Sequence, residues 1–562
     1  MATSITSEEL IPIDCHFKVK AGPGAGKTHW LINHVKNVLA TSDRLGKCGK
    51  VACITYTNVG VDTISRRLGY NSKSVEVCTI HSFFYNHIVR PYLRFIAAEE
   101  GFNLDLLKGE DDRFDFSFPT LQVIKKTTGQ MYADDLFLKN AIRNARWKLD
   151  SQHDVVCVTQ YPMKACETRY DKKNKEYKKY FLDSETYIAY KKMAWSQGLM
   201  HYDDVLYFAY RLVCRIPFIA KVLACRFPYF FIDEFQDSNP IQVEIVKMIA
   251  SQGSIIGVIG DPAQSIYGFL GADAKQFDTF SIDGMQEYVI PGNRRSTVKI
   301  IDFLNSIRTD LNQNNIREDE GVAPSLFVGN HVDNYRKLLE MGIGDVCVLA
   351  YDNQNANTLK KMMNMKGVDK YLIDKFEDSN NDRKSKVFMF IKALEHAKVG
   401  NFKKSFDFME RIDINVKIAV NMVHTLLAKY DDICVMTLYD FYKYLNETFN
   451  LGMATITEGK RIHGLYVSYS YMDFALCVSH EDDYGLQRTI HKAKGDEFSN
   501  VLVCIGDEKD LSFITNSNIG NNENHRVYYV AASRAKERLF FSVPTLSDVN
   551  KAALENKGII IE

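Results

Sequence analysis

An apolar run that ends in the glycine-rich segment AGPGAGKT (Ala21–Thr28) and passes into a helical pattern, WLINHVKNVL, leaves this chain few ways to fold. The glycines let successive backbone N–H groups converge on a phosphate, and the N-terminus of the following helix adds positive potential there. In such a cradle, formed by Ala21, Gly22, Pro23, Gly24, Ala25, Gly26, Lys27 and Thr28, the lysine would reach the β- and γ-phosphates. Thr28 would ligate Mg²⁺. The strict pattern has glycine at its first position, where this sequence has Ala21.

A second stretch, PYFFIDEFQDSNP (Pro228–Pro240), runs through apolar residues and then sets Asp233, Glu234, Gln236 and Asp237 almost side by side. Read alone it is either a strand end carrying metal chemistry or a strand running into a turn, with Asp237 or Ser238 capping a helix near Ile241–Ile249. A phosphate cradle needs a second strand with an acidic residue for Mg²⁺ and a residue that orients or deprotonates water. Asp233 is the metal-side candidate and Glu234 the base. The two segments together favour the chemical reading.

Apolar runs ending in polar turns recur at Phe17–Gly24, Val51–Thr57, Tyr229–Glu234 and Ile255–Asp261, and again at Val346–Asp352, Val501–Asp507 and Leu539–Val543. Helical patterns lie between them, so the chain reads as two α/β cores with parallel sheets. Each core is interrupted. The stretch around Arg94–Leu199 reads mostly helical and contains RYDKKNKEYKKYF (Arg169–Phe181), whose lysines and tyrosines suit either a solvated helix face or a strand-tracking surface. The stretch around Asp374–Tyr484 opens on a polar loop and continues with helical periodicity.

A chain of 562 residues needs several cores. Lys+Arg and Asp+Glu are both 70, so any nucleic-acid contact must use a local basic groove rather than global charge. None of the 12 cysteines forms a C-x-x-C pair, which argues against a zinc or iron–sulfur module and fits a reducing cytosol. No signal peptide is evident and no apolar run approaches ~18 residues, so a soluble cytoplasmic protein without a membrane span is expected.

Motif after motif, in order, the sequence resembles the UvrD/Rep/PcrA-like superfamily-one helicases. The carriers are AGPGAGKT, TYTNVGVDTISRRL (Thr55–Leu68), TIHSF (Thr79–Phe83), DEFQD (Asp233–Asp237), GDPAQSIYGFLGA (Gly260–Ala272), NRRS (Asn293–Ser296), TIHKAKGDEF (Thr489–Phe498) and YVAASRAKERL (Tyr529–Leu539). The resemblance implies two RecA-like P-loop NTPase cores with ATP in the cleft between them. The first would comprise residues 1–93 and 200–290, the second 291–373 and 485–562, with mostly helical insertions at 94–199 and 374–484. It further implies that Gln264 senses the γ-phosphate, that Arg295 and Arg534 are arginine fingers, and that Glu497 stands near the ribose. Charge developing on the γ-phosphoryl oxygens needs such fixed cations. Single-stranded or partially duplex DNA would cross the cores, stacking on Tyr267 and Phe269 and touching Tyr56, Asn58, His81 and His491.

The sequence departs from this family at the base face and on the DNA side. The adenine-reading glutamine has no counterpart, Glu9 standing near its place; the tyrosine of the family's NYRS is Arg294, and His29 follows Thr28 where arginine is common. The lysine of TFTNK is Val59 and the arginine of FRGA is Leu270. Two functions therefore stay open: an ATP-dependent DNA translocase or helicase working 3′ to 5′, and a non-processive nucleotide- and DNA-sensing ATPase subunit that gates a partner nuclease. The compact length is similar to that of the helicase-like subunit of the Gabija anti-phage system, which implies an OLD-family TOPRIM nuclease as partner.

Overall fold

The computed structural model describes all residues except 1, 108–117, 128–137, 139–140, 143–144, 160–165, 172–175, 182–183, 269–270, 352–371, 399 and 480–485. Seven parallel strands build the first sheet: β1 (Thr3–Ser4), β2 (Phe17–Ala21), β3 (Val51–Thr55), β4 (Val75–Thr79), β5 (Tyr229–Ile232), β6 (Ile255–Gly260) and β7 (Gln286–Ile290). Their order is β1-β7-β2-β6-β5-β3-β4. The central strands β3, β5 and β6 are buried along their whole length, as their unbroken apolar runs require. Register pairs Lys20 with Gly260, and Ile232 with both Ile54 and Val258, so the carboxyl ends of β2, β3, β5 and β6 share one edge.

The second sheet is also parallel, with six strands: β8 (Ser325–Val328), β9 (Val346–Ala350), β10 (Gln487–Thr489), β11 (Phe498–Cys504), β12 (Ala535–Val543) and β13 (Ile560–Ile561), in the order β10-β9-β11-β12-β8-β13. Its apolar core also takes in Ala263 and Ile266, which follow β6 of the first sheet. That shared packing seats the second core against the carboxyl edge of the first sheet.

Between β9 and β10 the described residues form helices running from Leu372–Lys375 to Tyr471–Ser479, packed around their own core of Phe376, Phe388, Phe390 and Phe474. The stretch between β4 and β5 is more mixed than its sequence suggests. Besides helices it holds two antiparallel hairpins, Ala145–Leu149 with Val155–Thr159, and Cys166–Asp171 with Glu176–Phe181. The Lys/Tyr-rich segment thus lies largely on strands instead of a helix face. In EYKKYF the tyrosines stand three apart, a helical spacing, and the antiparallel pairing overrides it. Among the described residues no helix is long and apolar enough to cross a membrane.

The helix after the cradle, Lys27–Thr41, buries Trp30, Leu31, His34, Val35 and Val38 at helical spacing against β2 and β5. Phe17 on β2 is held edge-on by Trp30 and His34, with ring centroids 5.5 and 4.9 Å away, and by Phe231 at 5.3 Å. Its register partner on β6 is Gly257, and a Cβ there would stand 2.1 Å from the Phe17 ring. Boxed in on the other sides, the ring has nowhere to go. Gly257→Ala is expected to cost about 2 kcal/mol by overpacking, read as a lower urea midpoint with an unchanged slope; an unchanged midpoint would show that the ring can yield.

Candidate functional site

Gly24 and Gly26 adopt left-handed backbone angles, φ 72° and 82°, and Gly26 caps the helix that starts at Lys27. Lys27 folds back over the loop and its Nζ donates to the Ala21 carbonyl at 3.3 Å. The second core closes on this loop. Arg294 N–H donates to the Gly24 carbonyl at 2.9 Å, and Gln313 Nε2 to the Pro23 carbonyl at 2.8 Å. A Cβ on Gly22 would approach Gln313 to 2.5 Å, and one on Gly24 would approach Asn293 to 2.4 Å. Both glycines are therefore demanded by the neighbouring core as well as by any ligand.

At the end of β5, Asp233 N–H still bonds to Ile54 O across the sheet, at 2.8 Å. Glu234 then turns the chain with φ 55°, a left-handed angle that is unusual for glutamate and places two carboxylates on adjacent residues at the site. Thr28 Oγ1 donates to Asp233 Oδ2 at 3.1 Å. Hydroxyl and carboxylate oxygens are hard donors of the kind Mg²⁺ takes alongside substrate phosphates, so this pair fits that cation. Burial and the neighbouring Glu234 push the Asp233 carboxyl up to about 7. Burial also disfavours charge on Glu234, but Lys27 and Lys494 outweigh it and hold that carboxyl below its usual range. The expected helix cap at Asp237 or Ser238 lies elsewhere. Asn239 caps Pro240–Ala250 in a capping box with Gln242, because Pro240 occupies the first helical turn.

Gln264 joins the two cores. Its Nε2 donates to Asp261 Oδ2 at 2.6 Å and its Oε1 accepts from Arg534 Nη2 at 3.1 Å. Arg534 is buried and also donates to the Val530 carbonyl at 3.0 Å, while burial and the nearby Arg295 lower its pKa. Arg295 donates to Glu497 at 2.8 Å and to the Ser533 carbonyl at 2.9 Å. Glu497 is paired as well with Lys536, at 2.9 Å. Arg294 reaches Ser7 Oγ at 3.0 Å and stands 3.7 Å from Glu8, which in turn meets His29 at 3.1 Å. Glu8, not Glu9, is the carboxylate of that face. The Glu9 side chain turns back to accept from Thr6 N–H at 2.6 Å.

A cavity of about 1350 Å³ gathers the cradle from Gly22 to Thr28 with Asp233, Glu234, Gln264, Arg294, Arg295, Glu497 and Arg534. Ala21 lies just beneath, fully buried at the end of β2. Tyr56, Tyr267 and His491 line the same cavity, and Tyr56, Tyr267 and His81 line a second one of about 610 Å³ beside it. His81 stacks on Tyr202 with centroids 3.5 Å apart, and the Tyr267 and His491 rings are 6.3 Å apart. Of the other nucleic-acid candidates, Asn58 is exposed at the start of the helix Asn58–Leu68 and lines neither cavity, and Phe269 and Leu270 lie outside the described residues.

Sequence reasoning passed over Lys494. Its ammonium bonds to Asp237 and to the Gln264 carbonyl, the latter at 2.8 Å, and lies 4.7 Å from the Tyr267 ring centre. The only signal was its place in KAKGDEF, three residues before Glu497.

Residues 5–284 match the UvrD/REP helicase N-terminal domain, and residues 486–545 match the UvrD-like helicase C-terminal domain. The chain belongs to the UvrD/Rep helicase family. It is 22% identical over 624 aligned positions to the ATP-dependent DNA helicase Rep of Buchnera aphidicola, covering 93% of this chain and 88% of that protein. It is 27% identical to the ATP-dependent DNA helicase srs2 of Schizosaccharomyces pombe, over 59% of this chain and 37% of that one. The ATP-dependent DNA helicase PcrA of Staphylococcus aureus is 24% identical, over 57% and 41% respectively. The match thus spans about two fifths of the length of these last two relatives.

The charge on Asp233 sets a pH dependence. Its proton, held up to about pH 7, competes with any cation beside Thr28 and is gone above that. The Mg²⁺-dependent part of ATP affinity, measured as the ratio with and without Mg²⁺, should strengthen about tenfold per pH unit up to about 7 and then level off. A ratio that stays flat from pH 5.5 to 8.5 would contradict the assignment.

Proposed function

We propose that this chain is an ATP-dependent DNA translocase or helicase of the UvrD type. The observation that carries the reading is the Gln264 amide, held between Asp261 of the first core and Arg534 of the second and lining the same cavity as the cradle and the paired carboxylates. On this reading residues 1–93 and 200–290 form one core, 291–373 and 485–562 the other, and 94–199 and 374–484 are insertions. The names of the three relatives given above, each an ATP-dependent DNA helicase, support the same assignment.

Backbone N–H groups of the loop and Lys27 bind the phosphates. Thr28 and Asp233 would hold a Mg²⁺ ion, which would supply charge neutralisation on the phosphates. Glu234, kept ionised by Lys27 and Lys494, orients the attacking water and accepts its proton. Arg295 exchanges Glu497, and Arg534 exchanges Gln264, for γ-phosphoryl oxygens, so that charge growing there meets cations already in position. Gln264 then reports the change to the face where Tyr267 lies. Single-stranded or partially duplex DNA runs along Tyr56, His81, Tyr267 and His491, bases stacking on the aromatics, with 3′-to-5′ movement by likeness to the family.

One observation favours the second reading, a cytoplasmic sensor that gates a partner such as an OLD-family TOPRIM nuclease. Val59, in the place of the TFTNK lysine, is 62% exposed and offers phosphate nothing. Steady-state hydrolysis with and without single-stranded DNA, followed by strand displacement, separates the two. ATPase that DNA raises, with unwinding, supports the motor; ATPase without unwinding supports the sensor. Glu234→Gln should cut turnover about 1,000-fold while nucleotide affinity stays within about threefold. Hydrolysis surviving in that variant would remove Glu234 from the mechanism. GTP run in parallel tests whether the Glu8–His29–Arg294 face still reads adenine.

A further inference from the structure

Six residues of the second core, RTDLNQ (Arg308–Gln313), connect the helix Val298–Ile307 to the short strand Asn314–Asn315. No motif quoted above includes them, yet three of them reach into the first core. Arg308 donates from Nη1 and Nη2 to both oxygens of Asp261, at 2.9 and 2.7 Å. Asp310 pairs with Lys20 at 2.6 Å, one residue before the cradle. Gln313 donates to the Pro23 carbonyl inside the cradle at 2.8 Å. The segment therefore touches the end of β2, which leads into the cradle, and the end of β6, which leads to Gln264.

The Asp261–Arg308 pair is almost fully buried, its side chains 0% and 1% exposed. Such a pair is seldom retained for stability, since apolar residues of equal volume often serve as well. Its geometry points to another use. Asp261 accepts two bonds from Arg308, one from Ala263 N–H at 3.2 Å and one from Gln264 Nε2. A carboxylate only accepts, so the Gln264 amide must turn its nitrogen to Asp261 and its oxygen to Arg534. Arg308 fixes the carboxylate, the carboxylate fixes the amide, and the amide holds the buried arginine over the phosphate site.

We propose that Arg308 is a positioning residue and that Arg308–Gln313 is a latch. Through Asp261 the latch orients Gln264, and through Lys20 and Pro23 it brings the arginine-bearing core into register with the phosphate cradle. This rests on the ATPase reading given above. The latch acts when charge develops on the γ-phosphoryl group, not when the nucleotide first binds.

The test compares the full-length chain with Arg308→Met and Asp261→Asn, each checked for folding by circular dichroism. Binding of a fluorescent ADP analogue is measured with and without aluminium fluoride, and ATP hydrolysis alongside. ADP affinity should stay within about threefold, whereas the tightening by aluminium fluoride and kcat should both fall about 100-fold, the loss expected when reacting groups are misplaced by about 1 Å. The double variant should lose no more than either single one, because both act through the same amide. Arg308→Lys, which keeps the charge but not the fork, should recover part of the tightening at most. Full tightening in a folded Arg308→Met or Asp261→Asn would overturn the proposal, as would additive losses or a parallel loss of ADP affinity. If Arg308→Met does not fold, Asp261→Asn decides alone, since Asn retains the acceptor for Ala263 but presents an amide toward Gln264. A wild-type chain that neither hydrolyses ATP nor tightens with aluminium fluoride would overturn the ATPase reading and the latch together.

Discussion

Two carboxylates on adjacent residues, buried at the end of β5, cannot both carry charge unless cations stand over them. Asp233 and Glu234 are in that position, and the cations come from opposite sides of the molecule. Lys27 reaches them from the cradle of the first core; Lys494 and Arg534 come from the second. The charge balance at this sheet edge is therefore completed only with the second core in place. Asp237 adds to the demand: burial pushes its carboxyl up to about 6 even with the Lys494 ammonium bonded to it. The two sheets are joined as much by this electrostatic requirement as by the apolar contacts of Ala263 and Ile266.

The same economy explains why neither arginine is idle. Arg295 is occupied by Glu497, and Arg534 by Gln264 and backbone carbonyls. A guanidinium buried without acceptors would cost far more than these bonds return. On the proposed reading, each arginine would exchange its present partner for a phosphate oxygen. Because Glu497 also holds Lys536, releasing Arg295 leaves that carboxylate still paired.

Much of this site was legible in the sequence because its parts are local. A strand, three spaced glycines and a helix define the cradle within about a dozen residues, and an apolar run ending in paired acids marks β5. What stayed hidden depends on separation. Lys494 and Asp237 are 257 positions apart, and Arg308 and Asp261 are 47 apart with no motif around the arginine. The helix cap at Asn239 was readable from the following proline and from Gln242, but the more conspicuous acids nearby drew attention away. The paired strands 166–171 and 176–181 were hidden for a different reason, since Tyr177 and Tyr180 stand at a helical spacing that the strand pairing overrides. Glu8 and Glu9 are neighbours in sequence, and only the turn that sends the Glu9 carboxylate back to Thr6 decides which one faces His29.

That last choice bears on what the site recognises. His29 and Arg294 occupy positions where the family has an arginine and a base-stacking tyrosine, and here both are drawn to the Glu8 carboxylate. All three side chains are about half exposed, so the pairings are weak and a base can displace them at little cost. A guanidinium stacks on any purine, and a carboxylate accepts from any N–H that faces it. The phosphate end of the cavity, by contrast, is fixed by buried groups from both cores. On the ATPase reading, selectivity at this site would rest on the triphosphate far more than on the base, because burial falls from the phosphate end of the cavity to the Glu8–His29–Arg294 face.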